Sequence, residues 1–325
     1  MTNPKAPPNQ QATLVVDTPS LYYRAFYALP TSLTAPDGTP VNAVRGLLDM
    51  LATLIDANNT PSVLACWDND WRPEFRTELM PSYKAQRVGP GGGEETPDEL
   101  SAQLDLIRTA LRHAQIPILG VDGYEADDVI ASVVAQNGQP SLVVTGDRDL
   151  FQLLDETDRV QVVYPGKSIK DAKRMTNATL AEQYGVESGE QYAAMATLRG
   201  DPSDGLPGVA GVGEKTAVKL IRTFGTVAGV IAAARSGDRS GGLSDRIAAA
   251  VIDGAEQLAR AEQVVNTVRN LDLGVTADEL PGYGLFTTAD ADQASAWAED
   301  WGVASSLGRL LAARERVATA AAGDR

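Results

Sequence analysis

Cysteine and histidine are nearly absent from this 325-residue chain, each occurring once. The lone cysteine, Cys66, cannot form an internal disulfide and suits a reducing compartment; inside an apolar strand it reads as a core thiol rather than a nucleophile. The lone histidine, His113, excludes a multi-histidine zinc site and leaves a serine or cysteine triad without a supporting motif. It lies at the end of a helical stretch and reads as an ordinary helix-end residue. Apolar runs of roughly 18 residues are also missing, so no membrane-spanning helix or membrane partner is expected. Positive charge is scarce: 28 Lys and Arg stand against 43 Asp and Glu, a net charge of −15. The chain as a whole lacks the basic footprint usual for nucleic-acid partners. Any such contact must rest on local clusters, and catalysis must rest on carboxylates.

Residues 1–11 are polar, lack the apolar stretch of a signal peptide, and read as a disordered leader. A cytoplasmic location is expected. From residue 12 onward the chain alternates short apolar runs, near 13–16, 62–67, 116–119, 141–145 and 160–163, with helix-period segments at Ser20–Leu29, Val44–Ala57, Asp98–Gln115 and Ala126–Gln136. That alternation predicts an α/β domain over 12–176, with a parallel sheet flanked by helices. From about residue 177 strand-like runs become scarce. Thr179–Tyr184, Gly189–Leu198, Glu214–Phe224, Val227–Arg235 and a stretch from Asp245 to Arg269 predict a mainly helical domain over 177–311, and the Ala/Arg-rich end, 312–325, is expected to fray.

The carboxylates collect where these strands end. Asp17 follows the first, Asp68 the second, Glu125, Asp127 and Asp128 the third after a turn, and Asp147 and Asp149 the fourth. Sites in open α/β sheets lie outside the carboxyl ends of the strands, and so many negative charges repel one another unless divalent cations neutralise them. Two plainer readings stay open. Acids at 125–128 favour a helix N-terminus, and Asp147 with Asp149 is compatible with a solvated turn. As i and i+2 of an extended segment, however, the last two can also reach one ion.

Two further stretches carry chemistry. Residues 69–97 form a long loop with Arg72, Arg76, Lys84 and Arg87, then a glycine-rich run at 89–93; loops of that length are usually functional or disordered. In the second domain Asp201-Pro202-Ser203-Asp204-Gly205 leads into glycines 208, 211 and 213 ahead of a helix. Such a turn leaves backbone N–H groups free for a phosphate, and Lys215, Lys219 and Arg222 sit on the helix after it.

Taken together, the pieces Leu14-Val15-Val16-Asp17 with Tyr23-Arg24-Ala25, Phe75-Arg76, Tyr83-Lys84-Ala85-Gln86-Arg87, Gly123 to Asp128, Thr145 to Leu150 and Gly200 to Ala217 resemble the bacterial 5′-nuclease family. These are the flap endonucleases and 5′–3′ exonucleases that also form the N-terminal part of many DNA polymerases I. The pieces occur in the family's order and span roughly residues 12–310. The resemblance implies a PIN-like nuclease core with a helix–three-turn–helix domain. It implies hydrolysis of 5′ flaps and RNA primers in replication and repair by a two-metal mechanism.

By position it assigns metal binding to Asp17, Asp68, Glu125, Asp127, Asp128, Asp147, Asp149, Asp201 and Asp204, with two or more Mg²⁺ or Mn²⁺ ions. Arg24, Lys84 and Arg87 would grip the scissile phosphodiester, and Arg76 would contact DNA. Tyr83 would stack on a flipped nucleotide, unless it packs. Segment 69–97 corresponds to the arch over the site. Gly208, Gly211, Gly213, Lys215, Thr216 and Lys219 would hold duplex backbone, with K⁺ on the turn's carbonyls. Branched or 5′-flap DNA and RNA–DNA hybrids are the implied substrates of a nucleoid-associated monomer, with a polymerase or ligase acting in trans. Two positions depart from the family: Thr18-Pro19 after the first Asp, where Gly is usual, and Gly205, where Asn is usual. A small ribonuclease of the same sheet type is disfavoured by the helical domain, a non-catalytic binder of branched DNA by the intact carboxylates, and an Asp-x-Asp phosphatase by Pro19.

Overall fold

The short apolar runs settle into strands and the longer segments into helices between them. The structure, a computed structural model, describes residues 12–275 and 288–323. In chain order the first part comprises β1 (Thr13–Asp17), α1 (Thr18–Ala28), α2 (Asn42–Asn58), β2 (Val63–Cys66), α3 (Glu74–Leu79), α4 (Asp98–Ser101), α5 (Leu104–His113), β3 (Ile118–Leu119), α6 (Ala126–Gln136), β4 (Ser141–Val144), β5 (Val160–Tyr164) and β6 (Lys173–Met175). The second comprises α7 (Asn177–Tyr184), α8 (Gly189–Arg199), a small hairpin of β7 (Gly200–Asp201) and β8 (Leu206–Pro207), α9 (Glu214–Phe224), α10 (Val227–Ser236), α11 (Asp245–Asp253), α12 (Ala255–Val265), α13 (Thr288–Asp300) and α14 (Ala304–Gly323).

The main sheet has the order β3-β2-β1-β4-β5-β6, parallel except for β6, which runs antiparallel on the β5 edge. Alternate residues of each strand feed two apolar layers, as the pleat requires. Val15, Leu64, Val143 and Val162 face α6 and continue into the cluster of α8 to α12. Leu14, Val16, Val63, Ala65, Leu142 and Val144 face α2 and α5. The sheet and the helical region therefore share one apolar layer, and the core does not part at residue 176.

Several expected elements come out differently. The helix expected over Asp98–Gln115 breaks into α4 and α5, and the one expected from Asp245 breaks at Gly254. The tail expected to fray is largely ordered: α14 runs to Gly323 and lays Leu307, Leu310, Ala313 and Val317 on the layer beside α2. Arg309 pairs with Asp49, and Arg316 with Asp56, along the same helix. The end of the chain thus completes the α/β layer rather than the helical domain. The expected leader at 1–11 lies outside the described residues. His113 ends α5 and stacks on Trp297 of α13, ring centroids 4.9 Å apart, and burial lowers its pKa. Cys66 is fully buried and burial holds its thiol well above the ordinary range.

Candidate active site

A cavity of about 460 Å³ opens where β1, β2 and β4 end, between the sheet and the β7–β8 hairpin. Nine acids line it, Asp17, Asp68, Glu94, Glu125, Asp127, Asp147, Asp149, Asp201 and Asp204, with four cations, Lys84, Arg87, Arg148 and Arg199. Eight of the nine acids expected from the sequence thus share one space.

Local hydrogen bonding explains how each carboxylate is aimed. Asp17 caps α1: its Oδ1 accepts the Ser20 N–H at 3.1 Å, while its Oδ2 accepts the Thr145 hydroxyl at 2.6 Å. Thr145 in turn accepts the Asp147 N–H at 2.9 Å, so one threonine sets the ends of β1 and β4 relative to each other. Asp68 reaches across to accept the N–H of Ala126 at 2.6 Å, at the start of α6. Asp147 accepts the Asp149 N–H at 2.8 Å, so the pair sits in a turn rather than on an extended strand, yet both face the cavity. Asp201 accepts the N–H and hydroxyl of Ser203.

The charge is only partly balanced. Burial raises Asp17 to about 6, Asp68 to about 7 and Asp149 to about 8, and holds Asp127 well above the ordinary carboxylate range; neighbouring carboxylates push each the same way. Asp204 is also raised by burial. For Asp201 burial acts upward, but the hydrogen bonds from Ser203 outweigh it and the pKa falls. Lys84 would lose its proton more easily on burial, yet Glu125 beside it reverses that and keeps the ammonium charged.

These residues fit hard divalent cations. The donors are oxygens throughout, and acids outnumber cations nine to four. Among the described residues no three carboxylates already form a ready-made coordination sphere. An open, acid-lined space suits ions that keep several waters and take one or two carboxylates each.

Three expected site residues belong elsewhere. Asp128 is fully buried and turned away from the cavity: Arg76 donates Nη1 to its Oδ2 at 2.6 Å and Nη2 to its Oδ1 at 2.7 Å, and Val268 N–H donates to Oδ1 at 2.9 Å. Its neighbour one residue back in the same helical turn points the other way. Arg76, expected to touch DNA, is 2% exposed; it also donates to Glu125 at 2.7 Å and to the Val264 carbonyl at 3.1 Å. Tyr83, expected to stack on a nucleotide, is buried and donates its hydroxyl to Glu125 at 2.9 Å, which leaves the packing alternative. Glu125 itself lines the cavity while accepting from Arg76, Tyr83 and Lys84.

Segment 69–97 forms no long helix. It contains α3, a single short turn at 85–87, and a closed glycine turn in which Gly89 N–H donates to the Gly93 carbonyl at 2.8 Å. Its part at 82–87 docks on the second domain. Lys84 N–H donates to the Asp204 carbonyl at 2.9 Å, Gln86 donates to the Ser203 carbonyl, and Arg87 pairs with Asp204. Gly205 makes this possible. It sits at φ +68°, and a Cβ there would lie 2.0 Å from the Ser82 carbonyl oxygen. Lys84 itself is held at φ +49°, in the left-handed region that non-glycine residues seldom occupy.

Arg24 does not line the cavity wall but stands at its rim, donating Nη2 to the Gly166 carbonyl at 2.9 Å. In the glycine turn, Gly208 serves the chain's own backbone, since a Cβ there would fall 2.3 Å from the Arg199 carbonyl group. Gly211, at φ +81°, and Gly213, which precedes α9, are exposed, as are Lys215 and Lys219; Thr216 is half-buried in the first turn of α9. Sequence reasoning missed Thr145, Glu94, Arg148 and Arg199. A threonine two residues before a strand-end aspartate was the one available signal.

Known proteins resemble this chain in sequence and in fold. The sequence pattern described as "5'-3' exonuclease, N-terminal resolvase-like domain" matches residues 12–185, and that described as "5'-3' exonuclease, C-terminal SAM fold" matches 187–285. The chain is 46% identical over 303 residues to a 5′-3′ exonuclease of Streptomyces coelicolor, covering 92% of this chain and 98% of the relative. It is 41% identical over 312 residues to a 5′-3′ exonuclease of Mycobacterium tuberculosis, covering 91% and 96%. Its fold is similar to that of the bacteriophage T5 flap endonuclease in a pseudo-enzyme-product complex with DNA and metal ions, with a TM-score of 0.60 at 20% identity over 94% of this chain and 99% of that one.

Proposed function

This chain belongs to the 5′-3′ exonuclease family, phosphodiester hydrolases, and from that premise we propose that its acid-lined cavity holds Mg²⁺ or Mn²⁺ and cuts DNA near the base of 5′ flaps. The observation that carries this reading is the convergence of nine acids from both domains on one cavity at the carboxyl ends of a parallel sheet. Asp17, Asp68, Glu125, Asp127, Asp147, Asp149, Asp201 and Asp204 are the residues that would hold the ions. Divalent ions bound there supply the Lewis acidity and charge neutralisation that attack by water and departure of a 3′-oxygen need.

The chain's own contribution is positioning. Thr145 fixes Asp17 and the 146–149 turn together. Lys84 has three ammonium protons, of which Glu125 and the Trp71 carbonyl, 3.4 Å away, engage two, leaving a donor for a phosphate oxygen. Arg87, partly exposed and paired with Asp204, and Arg24, which donates to the Gly166 carbonyl, would serve as further phosphate contacts. The exposed turn at Gly211–Gly213 with Lys215 and Lys219 offers backbone N–H groups and charge to a second stretch of phosphates. K⁺ on that turn, RNA–DNA hybrids as substrates, and a polymerase or ligase acting in trans belong to the same reading. It is tested by cleavage of 5′-labelled double-flap DNA with Mg²⁺, Mn²⁺ or EDTA. Metal-dependent cuts near the junction are expected; cutting that persists in EDTA, or none in either metal, contradicts it.

A further inference from the structure

In a chain with a net charge of −15, residues 167–174 carry four cations and one acid. Lys167, Lys170, Lys173 and Arg174 are all exposed, and among the described residues none of them is ion-paired. Their direction is built in. Ile169 and Ala172 pack onto the apolar layer beneath, and the Ser168 hydroxyl accepts the Lys170 N–H at 3.2 Å. The lysines, spaced three apart, are left outside.

The strip begins at the cavity. Tyr164, on the cavity wall, pairs with Lys173 across β5 and β6, and Arg24 at the rim donates to Gly166, next to Lys167. It occupies the β6 edge of the sheet, whereas segment 69–97 leaves from β2 on the far side of β1. Four strand spacings of about 4.8 Å separate β2 from β6, roughly 19 Å in all. At about 3.4 Å per phosphate along one strand, several phosphates fit across that distance.

We propose that the 167–174 strip is a second backbone track, holding the duplex part of the substrate on the side of the cavity opposite segment 69–97. Resting on the nuclease reading of the cavity, it adds a surface that reading does not need. A duplex is favoured over a single strand because no aromatic residue lies within 165–174, and single-strand binders combine positive charge with stacking platforms. Lysines acting as point charges suit phosphates.

The test is the salt dependence of double-flap DNA binding in EDTA, for the parent and for a Lys167→Gln/Lys170→Gln/Lys173→Gln variant. The slope of log affinity against log salt should become shallower by roughly 0.9 for each phosphate that the variant no longer neutralises. The corresponding triple arginine variant should keep the parent's slope, and single-strand affinity should not change. An unaltered slope, an equal loss on single strands, or no measurable duplex binding by the parent overturns the proposal. Cleavage in Mg²⁺ is scored separately: a parent that binds but does not cut sinks the nuclease reading and leaves the slope to decide the strip.

Discussion

Arg76 and Asp128 face each other through two hydrogen bonds of 2.6 and 2.7 Å, both side chains withdrawn from solvent, and the same guanidinium also holds Glu125. This ion pair fastens segment 69–97 to the first turn of α6, and through Val264 and Val268 to the end of α12 and the chain just after it. Removing one partner of a buried pair strands the other charge. Arg76→Ala should therefore cost about 3–5 kcal/mol in denaturant unfolding. Flap-DNA affinity, measured below the melting transition, should stay within a few-fold of the parent. Lost affinity with unchanged stability would return Arg76 to the surface.

Gly205 and Ser82 meet too closely for any side chain at position 205. Gly205→Ala should push the 82–87 loop off Asp204 and displace Lys84 and Arg87. We expect the single-turnover cleavage rate to fall on the order of 10–100-fold, the scale set by small misplacements of catalytic groups. A parent-like rate would show that this close approach does not position the loop.

The buried acids predict an inverted pH response. The folded chain holds protons on Asp17, Asp68 and Asp149 up to pH of about 6, 7 and 8, whereas the unfolded chain releases them near the ordinary 3.8. Folding stability from these groups is therefore present at low pH and lost as pH rises through that window. In EDTA the melting temperature should fall between pH 5.5 and 8. Saturating Mn²⁺ or Mg²⁺ should raise it more at pH 8 than at pH 5.5, because only ionised carboxylates bind metal. A metal effect of equal size at both pH values would count against these acids as ligands.

Ala313 and Val317 of α14 are buried on the layer beside α2. Removing residues 312–325 should destabilise the protein, by about 1.5–3 kcal/mol from Val317 alone. An unchanged unfolding midpoint would mean that the end of α14 contributes nothing.

How much of the molecule is legible in the sequence depends on how local each signal is. Asp17, Asp68, Asp147 and Asp149 were legible because strand ends are marked by apolar runs, and parallel topology then brings them together. Asp128 was not, because Asp127 and Asp128 sit about 100° apart on a helix. Which of them meets the cavity depends on Arg76, 52 residues away in sequence. Arg76 and Tyr83, in a polar loop, looked exposed for the same reason: their partners are tertiary. β6, three residues with Lys173 and Arg174, carries no period-2 apolar signal and forms only as an edge strand on β5. In α14 the apolar stripe of Leu307, Leu310, Ala313 and Val317 was present but diluted by alanine and arginine.

The most direct test compares two adjacent substitutions, Asp127→Asn and Asp128→Asn, by single-turnover cleavage of double-flap DNA in Mg²⁺ alongside their unfolding midpoints. Asp127 lines the cavity and Asp128 pairs with Arg76. Asp127→Asn should keep its fold and slow cleavage on the order of 10²–10³-fold, as loss of a single charge-stabilising group does elsewhere. Asp128→Asn should lose stability yet cleave near the parent rate per folded molecule. A near-parent rate for Asp127→Asn, or a catalytic defect in Asp128→Asn without loss of stability, would contradict the assignment of this cavity as the catalytic centre.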